Sequence, residues 1–278
     1  MSVINYGQIG YMKKSKIVVG GCSFTDSKYP KQAQPKSLDF KMWPELLAEK
    51  TGKEVINTAK CGSGNRRIYQ TVLNEVLKHD DVEQVIVGWS EWTRQDFLVK
   101  DGWTEDGWHS LVPRVSDERD KITNDKAVDE DVLFDFYMNA FNFDYPRPSQ
   151  IVDENLNQFY SLQCICKDRN IKLKMFQMLY PINSFFNVET EDDKKQNRNI
   201  QKSILYTKTF IRHVLKHPLI LEMDDTFWGW PVFEDIGGID VARYLRRRDM
   251  WHKVSHVDSH PNEETHKNIM ELIHNEVY

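Results

Sequence analysis

The stretch Lys16–Gly21, KIVVGG, is a short run of β-branched residues that ends in two glycines. Unbroken apolar runs of this length are typical of strands that are buried on both faces of a parallel sheet. Two further runs of the same kind follow at Lys53–Asn57 (KEVIN) and Gln84–Trp89 (QVIVGW). The first third of the chain therefore contains three predicted strands.

Helical patterns separate these strands. Phe40–Lys50 has helical spacing, and Asn65–Lys78 repeats its apolar side chains on one side. Strands that alternate with helices indicate a parallel sheet that is covered on both faces. The predicted fold class is α/β, a three-layer α/β/α sandwich of flavodoxin-like type with about five parallel strands.

The rest of the chain repeats this alternation after an irregular segment. Residues 99–128 show no sustained period and predict a long loop. The remaining expected elements are helices at Asp129–Tyr145 and Ile151–Asn170, strands at Ile171–Met178 and Leu219–Met223, a helix that ends near Lys216, and helices at Asp240–Arg248 and Asn262–Val277. We expect residues 1–278 to form one domain with an inserted loop and helical region around 99–150.

Composition excludes several classes of protein. Of the 278 residues, 40% are hydrophobic and 28% are charged, which excludes disordered, collagen-like and coiled-coil chains. The formal net charge is −5 and the pI is about 6.0, whereas domains that grip phosphate backbones usually carry a basic excess. Nucleic acid is therefore not an expected partner.

Cysteine spacing and hydropathy bear on the compartment. Cys22, Cys61, Cys164 and Cys166 form neither paired C-x-x-C metal motifs nor a dense disulfide pattern, so we expect reduced thiols. The N-terminus lacks the apolar run of a secretion signal, and no window is apolar enough for a membrane helix. These features predict a cytoplasmic protein without a membrane partner.

Three polar blocks lie next to predicted strands and helices. Gly20–Thr25 follows the first strand, Asn57–Asn65 follows the second, and Asp258–Asn262 precedes the last helix. The carboxyl ends of parallel strands are where such sheets bind ligands. Ser23 lies where a nucleophile would lie, and Asp258 is spaced to orient His260 as a base. Helix caps and an ordinary surface loop explain the same residues, and both interpretations stay open.

Together the blocks resemble those of the SGNH/GDSL hydrolases. Gly21-Cys22-Ser23-Phe24 resembles their Gly-Asp-Ser-Leu block, Asn57–Gly62 their second block and Asp258–His260 their last. The resemblance implies that Ser23 is the nucleophile, His260 the general base and Asp258 the residue that orients it. It also implies that the N–H groups of Ser23 and Gly62 form part of an oxyanion hole.

The third block departs from the family pattern. Gly88-Trp89-Ser90-Glu91 stands where the family has Gly-x-Asn-Asp, so Ser90 occupies the place of the oxyanion asparagine, and Asn65 is a second candidate for that role. The segment from Trp89 to Arg94 resembles third blocks of SGNH-like proteins of tailed phages. By this resemblance Trp89 and Arg94 are candidates for substrate binding.

The expected function is ester hydrolysis through an acyl-enzyme, with a small acyl ester as substrate, such as an O-acetyl group on a carbohydrate. No cofactor and no metal are expected, and the oligomeric state is left open. Two alternatives remain, an O-acyltransferase, because the Asp-x-His spacing resembles that branch of the family, and a non-catalytic binding or virion-associated module.

Other segments allow weaker interpretations. The histidine-rich segment with His252, His256, Asp258, His260 and His266 could bind a metal, although it has no Glu arranged as in an H-E-x-x-H motif. Arg246–Arg248 could hold an acidic group, and the aromatic segment 227–233 could form a sugar-binding wall. A solvated helix end and core packing explain these two segments equally well or better.

Overall fold

A parallel sheet forms the centre of the protein, whose computed structural model describes residues 15–31, 38–98, 107–111, 148–181, 208–232, 236–256 and 258–277. In chain order the strands are β1 Lys16–Gly20, β2 Glu54–Asn57, β3 Val82–Trp89, β4 Gln95–Leu98, β5 Trp108–Leu111 and β6 Lys172–Gln177. Four of them form the sheet in the order β2-β1-β3-β6, and every pairing is parallel.

Helices cover both faces of this sheet. They are α1 Trp43–Thr51, α2 Asn65–Lys78, α3 Pro148–Asp168, α4 at 208–216, α5 Val241–Arg246 and α6 Glu263–Val277. Short 3₁₀ helices lie at Tyr29–Lys31 and Pro218–Ile220. Helices α2, α3 and α4 pack on one face, and α1, α5 and α6 pack on the other. The three-layer α/β/α architecture predicted from the sequence is confirmed.

Strand β1 shows why its apolar run is unbroken. Val18 joins the core under α2 and α3, whereas Ile17 and Val19 join the core under α1, α5 and α6. Side chains of a strand alternate between faces, and here both faces are covered, so every position of the run is apolar. All three side chains are fully buried.

The strand expected at Leu219–Met223 is wrong. Pro218–Ile220 forms a 3₁₀ helix, because Pro218 has no N–H to donate to a sheet and His217 Nδ1 accepts the N–H of Leu219 at 3.1 Å. The sheet edge beside β6 is instead extended by two isolated parallel bridges, Met175 with Phe227 and Gln177 with Asp240.

The segment after β3 contains a hairpin that the sequence pattern did not predict. Strand β4 pairs antiparallel with β5, with Leu98 opposite Trp108. The rest of the expected inserted region, including the helix at Asp129–Tyr145 and Trp103, lies outside the described residues. All four cysteines are free thiols. Within the described ranges, no helix has the length and hydropathy needed to cross a membrane.

Candidate active site

The structure brings together Ser23 from the turn after β1 and two residues from the loop before α6. Nε2 of His260 lies 2.8 Å from Oγ of Ser23, and Nδ1 of His260 lies 2.7 Å from Oδ1 of Asp258. Both distances are hydrogen-bond distances. A serine in this arrangement can pass its proton to the imidazole while the carboxylate stabilises the resulting cation.

The turn that carries Ser23 is closed by its own backbone. The N–H groups of Thr25 and Asp26 both donate to the carbonyl of Cys22, at 2.9 and 3.1 Å. Gly21 is required here, because a Cβ atom at this position would lie 2.4 Å from Oγ1 of Thr25. The tight turn leaves Ser23 only 6% exposed.

The loop that carries Asp258 and His260 is held at both ends. The N–H of Val254 donates to the carbonyl of His260 at 2.8 Å, and Asn262 N–H donates to the carbonyl of His252 at 2.9 Å. Oδ1 of Asp258 also accepts the backbone N–H of His260 at 3.0 Å. These bonds restrain the imidazole relative to its own carboxylate.

Tyr29 completes the arrangement, although no sequence motif pointed to it. Its hydroxyl donates to Oδ2 of Asp258, and its ring stacks on the His260 ring with centroids 4.1 Å apart and planes 28° apart. Phe24 meets the same imidazole edge to face, with centroids 5.1 Å apart. No local motif marks Tyr29, because its role depends on a loop from the other end of the chain.

Burial sets the protonation states of these groups. It lowers the pKa of His260, while Asp258 acts in the opposite direction and the charge of Arg94 lowers the pKa further. The ring is therefore neutral near pH 7 and available as a base. Burial and the bond to Asp258 raise the pKa of Tyr29, so its phenol stays a donor.

The loop after β2 presents one unused N–H group. Cys61 N–H donates to Oδ2 of Asp26 at 2.9 Å, Ser63 N–H to the carbonyl of Lys60 at 3.2 Å, and Gly64 N–H to Oδ1 of Asp96 at 2.9 Å. Gly62 lies between them.

Gly62 has φ +80°, a conformation that glycine adopts at little cost. Among the described residues, neither Gly62 N–H nor Ser23 N–H has an acceptor. Two backbone donors are thus available for an oxyanion.

Asp96 fixes this loop from the hairpin. Its carboxylate accepts the N–H groups of Gly64 at 2.9 Å and Arg67 at 2.8 Å, and it also accepts the hydroxyl of Ser110. It therefore caps the start of α2 from a distant strand. Burial raises the pKa of Asp96, although these hydrogen bonds act in the opposite direction.

Asn65 is not an oxyanion donor in this structure. Its Oδ1 accepts the N–H of Ser90 at 2.8 Å, and its Nδ2 donates to Oδ1 of Asn155 at 2.6 Å and to the carbonyl of Ser90 at 3.3 Å. The side chain is 3% exposed and fully engaged. It braces the end of β3 against α2 and α3.

The end of β3 departs from expectation in a second respect. Trp89, a candidate for substrate binding, is fully buried and packs against Phe159 with ring centroids 4.5 Å apart. The side chain packs in the core under α3, where burial of a large ring stabilises the fold. Ser90 is also fully buried.

Arg94 lies beside the Gly62 loop. Nη1 donates to the carbonyl of Ser63 at 3.5 Å, and Nε donates to Oε2 of Glu91 at 3.4 Å. The side chain is 13% exposed. Its guanidinium group therefore places a positive charge against the loop that carries the Gly62 N–H.

The remaining sequence candidates make packing contacts or are buried. In the described ranges, no group of three or more His, Cys, Asp and Glu side chains converges as a metal site, and His266 is fully buried in α6. The Arg246 guanidinium stacks over the Trp251 ring at 4.8 Å. Trp228 and Trp230 pack partly buried against the two cores, and Phe233 lies outside the described residues.

Three solved structures illustrate what the chain is similar to. A catalytic mutant of Axe2, an acetylxylan esterase from Geobacillus stearothermophilus, is 13% identical, with 95% of this chain and 94% of that chain covered and a TM-score of 0.43.

The psychrotrophic esterase EstA from Pseudoalteromonas sp. is 10% identical, with coverages of 95% and 96% and a TM-score of 0.41. A protein from Desulfitobacterium hafniense DCB-2, described as lipolytic and of the G-D-S-L family, is 13% identical, with coverages of 94% and 99% and a TM-score of 0.42.

Comparison by sequence gives a family. No curated protein matches the chain. A family model described as a family of unknown function, DUF6071, matches residues 29–192, a segment that includes Tyr29, Gly62 and Arg94. Because this match spans more than half of the chain, the protein belongs to the DUF6071 family.

Proposed function

We propose that this protein is a serine hydrolase of the SGNH type that cleaves a small acyl ester through an acyl-enzyme. The observation that carries the proposal is the continuous chain of hydrogen bonds from Ser23 through His260 to Asp258. Ser23 and His260 lie 237 positions apart in the chain, and they meet at the carboxyl edge of the sheet.

In the first step Oγ of Ser23 attacks the ester carbonyl while its proton passes to Nε2 of His260. The carbonyl electron pair moves onto oxygen, where the N–H groups of Ser23 and Gly62 stabilise it. His260 then returns the proton to the leaving alcohol. A water molecule releases the acyl group by the same route in reverse.

The low exposure of Ser23 supports a small acyl group. In the described part of the chain, the nucleophile is 6% exposed and the adjoining His260 ring is flanked by Phe24 and Tyr29. A narrow approach of this kind admits an acetyl group more readily than a long acyl chain. Acetyl esters are therefore the proposed class of substrate, with O-acetyl groups on carbohydrates as the proposed example.

The testing experiment is labelling with a serine-reactive fluorophosphonate, followed by intact mass measurement and peptide mapping. One adduct on Ser23 in the parent protein and none in Ser23→Ala is the expected result. Ser27→Ala removes another hydroxyl of the same turn and is expected to label normally. A folded parent protein that forms no adduct on Ser23 contradicts the proposal and favours the non-catalytic alternative.

A further inference from the structure

The oxyanion hole of the proposed hydrolase lacks its side-chain donor. By the resemblance to the SGNH hydrolases Ser90 stands in the place of their asparagine, and its hydroxyl is fully buried with no hydrogen-bond partner among the described residues, so it does not face a substrate in this structure. The N–H and carbonyl of Ser90 are both bound to Asn65. Asn65 itself is committed to Ser90 and Asn155. Two backbone N–H groups therefore remain, and removal of one donor from such a site costs about 10²–10³-fold in kcat.

We infer that Arg94 supplies the missing donor, so that its guanidinium group stabilises the oxyanion formed when Ser23 attacks the ester carbonyl. This inference rests on the proposed function. A guanidinium group carries five N–H donors in a planar fork and keeps its charge at all working pH values. It can therefore replace a neutral amide donor and add a full positive charge.

The contacts of Arg94 hold its side chain against the Gly62 loop. Its Nη1 donates to the carbonyl of Ser63, the residue directly after Gly62, and its Nε faces Glu91. Gly64 permits this close approach, since a Cβ atom there would lie 2.9 Å from Cβ of Arg94. Nη2 has no acceptor among the residues that the structure describes.

The electrostatic environment agrees with this placement. Burial lowers the pKa of His260, and the charge of Arg94 adds to this effect. Burial raises the pKa of the Cys61 thiol, which precedes Gly62, to about 11, and the charge of Arg94 opposes that rise. The positive charge of Arg94 therefore acts on His260, although Glu91 lies beside it. In a buried site a positive charge stabilises a nearby oxyanion more strongly than it would in water.

The proton inventory of the step is simple. The bond from Ser23 Oγ to the carbonyl carbon forms, the carbonyl π pair moves onto oxygen, and the serine proton passes to His260. Arg94 keeps its own protons and contributes a hydrogen bond and its charge. No other reactant is needed.

The test compares Arg94→Gln and Arg94→Lys with the parent protein, using p-nitrophenyl acetate and the fluorophosphonate. For Arg94→Gln we expect kcat and the labelling rate to fall about 10²–10³-fold with little change in KM. We also expect the acid limb of the pH profile to move to higher pH, because His260 loses a neighbouring positive charge. Arg94→Lys is expected to recover part of kcat.

Arg66→Gln is the matched control, because it removes the same charge from an exposed position at the start of α2. It is expected to leave kcat and the pH profile unchanged. Circular dichroism and thermal unfolding report whether each variant is folded. If Arg94→Gln unfolds, the kcat of Arg94→Lys relative to the parent protein tests the role of the guanidinium group.

Three results would overturn the inference. The first is a parent-like rate in Arg94→Gln. The second is a loss of kcat in Ser90→Ala without one in Arg94→Gln, which would make the Ser90 hydroxyl the donor. The third is a rise of KM confined to carboxylate-bearing esters, which would make Arg94 a substrate-binding residue. If the parent protein itself fails to label at Ser23, the proposed function fails together with this inference.

Discussion

The hydroxyl of Tyr29 donates a hydrogen bond to Oδ2 of Asp258, although the two residues lie 229 positions apart in the chain. Oδ1 of the same carboxylate binds the ring and the N–H of His260. Both oxygens are thus satisfied, and the Tyr29 ring covers one face of the imidazole. Tyr29 is accordingly a positioning residue, acting on the proposed base through Asp258.

Tyr29→Phe tests this role. The variant keeps the stacked ring and loses the hydroxyl, so the charge of Asp258 acts more fully on His260 and raises its pKa. We expect the acid limb of the kcat/KM profile to move to higher pH and kcat to fall about tenfold, as for the loss of one hydrogen bond to a charged group. Tyr29→Leu, which also removes the ring, should show a larger loss. An unmoved acid limb with a lower Tm would mean that Tyr29 serves stability alone.

Asp258→Asn should separate orientation from binding. The amide cannot stabilise the His260 cation and favours the wrong tautomer, so kcat should fall about 10³–10⁴-fold while KM changes by less than about threefold. Steady-state kinetics on p-nitrophenyl acetate gives both parameters. A rise in KM with an unchanged kcat would assign Asp258 to substrate binding.

Asn65→Ala distinguishes a brace from an oxyanion donor. The variant leaves the buried N–H of Ser90 without its acceptor, which should lower the free energy of unfolding by about 1–3 kcal/mol. The kcat of the folded protein should stay within a few-fold of the parent value. Urea unfolding and single-turnover labelling provide the two readings. An unchanged free energy of unfolding together with a hundredfold loss of kcat would identify Asn65 as an oxyanion donor.

His266 should make stability depend on pH. Burial lowers its pKa to about 3 in the folded protein, and its ring nitrogens have no partner within the described residues. An unfolded chain binds a proton at this position near pH 6.5, whereas the folded chain does not.

Between about pH 6.5 and 3 the unfolded state therefore holds one more proton at His266, and the free energy of unfolding falls as pH falls, by up to about 1.4 kcal/mol per pH unit. His266→Leu should reduce the dependence of the free energy of unfolding on pH between pH 5 and pH 8. The substitution should change the free energy of unfolding less at pH 8 than at pH 5. Urea titrations at pH 5 and pH 8 measure the difference, and equal slopes in both proteins would contradict the buried neutral state.

Local sequence was sufficient for most of the fold. The bounds of α2 follow from its apolar repeat, and β1 and β3 follow from runs that are apolar throughout because helices cover both faces of the sheet. The hairpin of β4 and β5 was missed, because its pairing joins Gln95–Leu98 to Trp108–Leu111 across an irregular segment. The strand expected at Leu219–Met223 failed because apolar content alone does not distinguish a strand from a turn that begins with proline.

The sequence by itself determined which residues could carry chemistry, since Ser23, Gly62, Asp258 and His260 lie in short blocks whose spacing is local. Tertiary structure alone decided which other residues lie beside these blocks. Trp89 and Asn65 point inward to the core and to Ser90, whereas Tyr29 and Arg94 come to the site through contacts with distant loops. The physical reason is that hydrogen bonds and burial depend on distances between segments, and a one-dimensional pattern does not contain those distances.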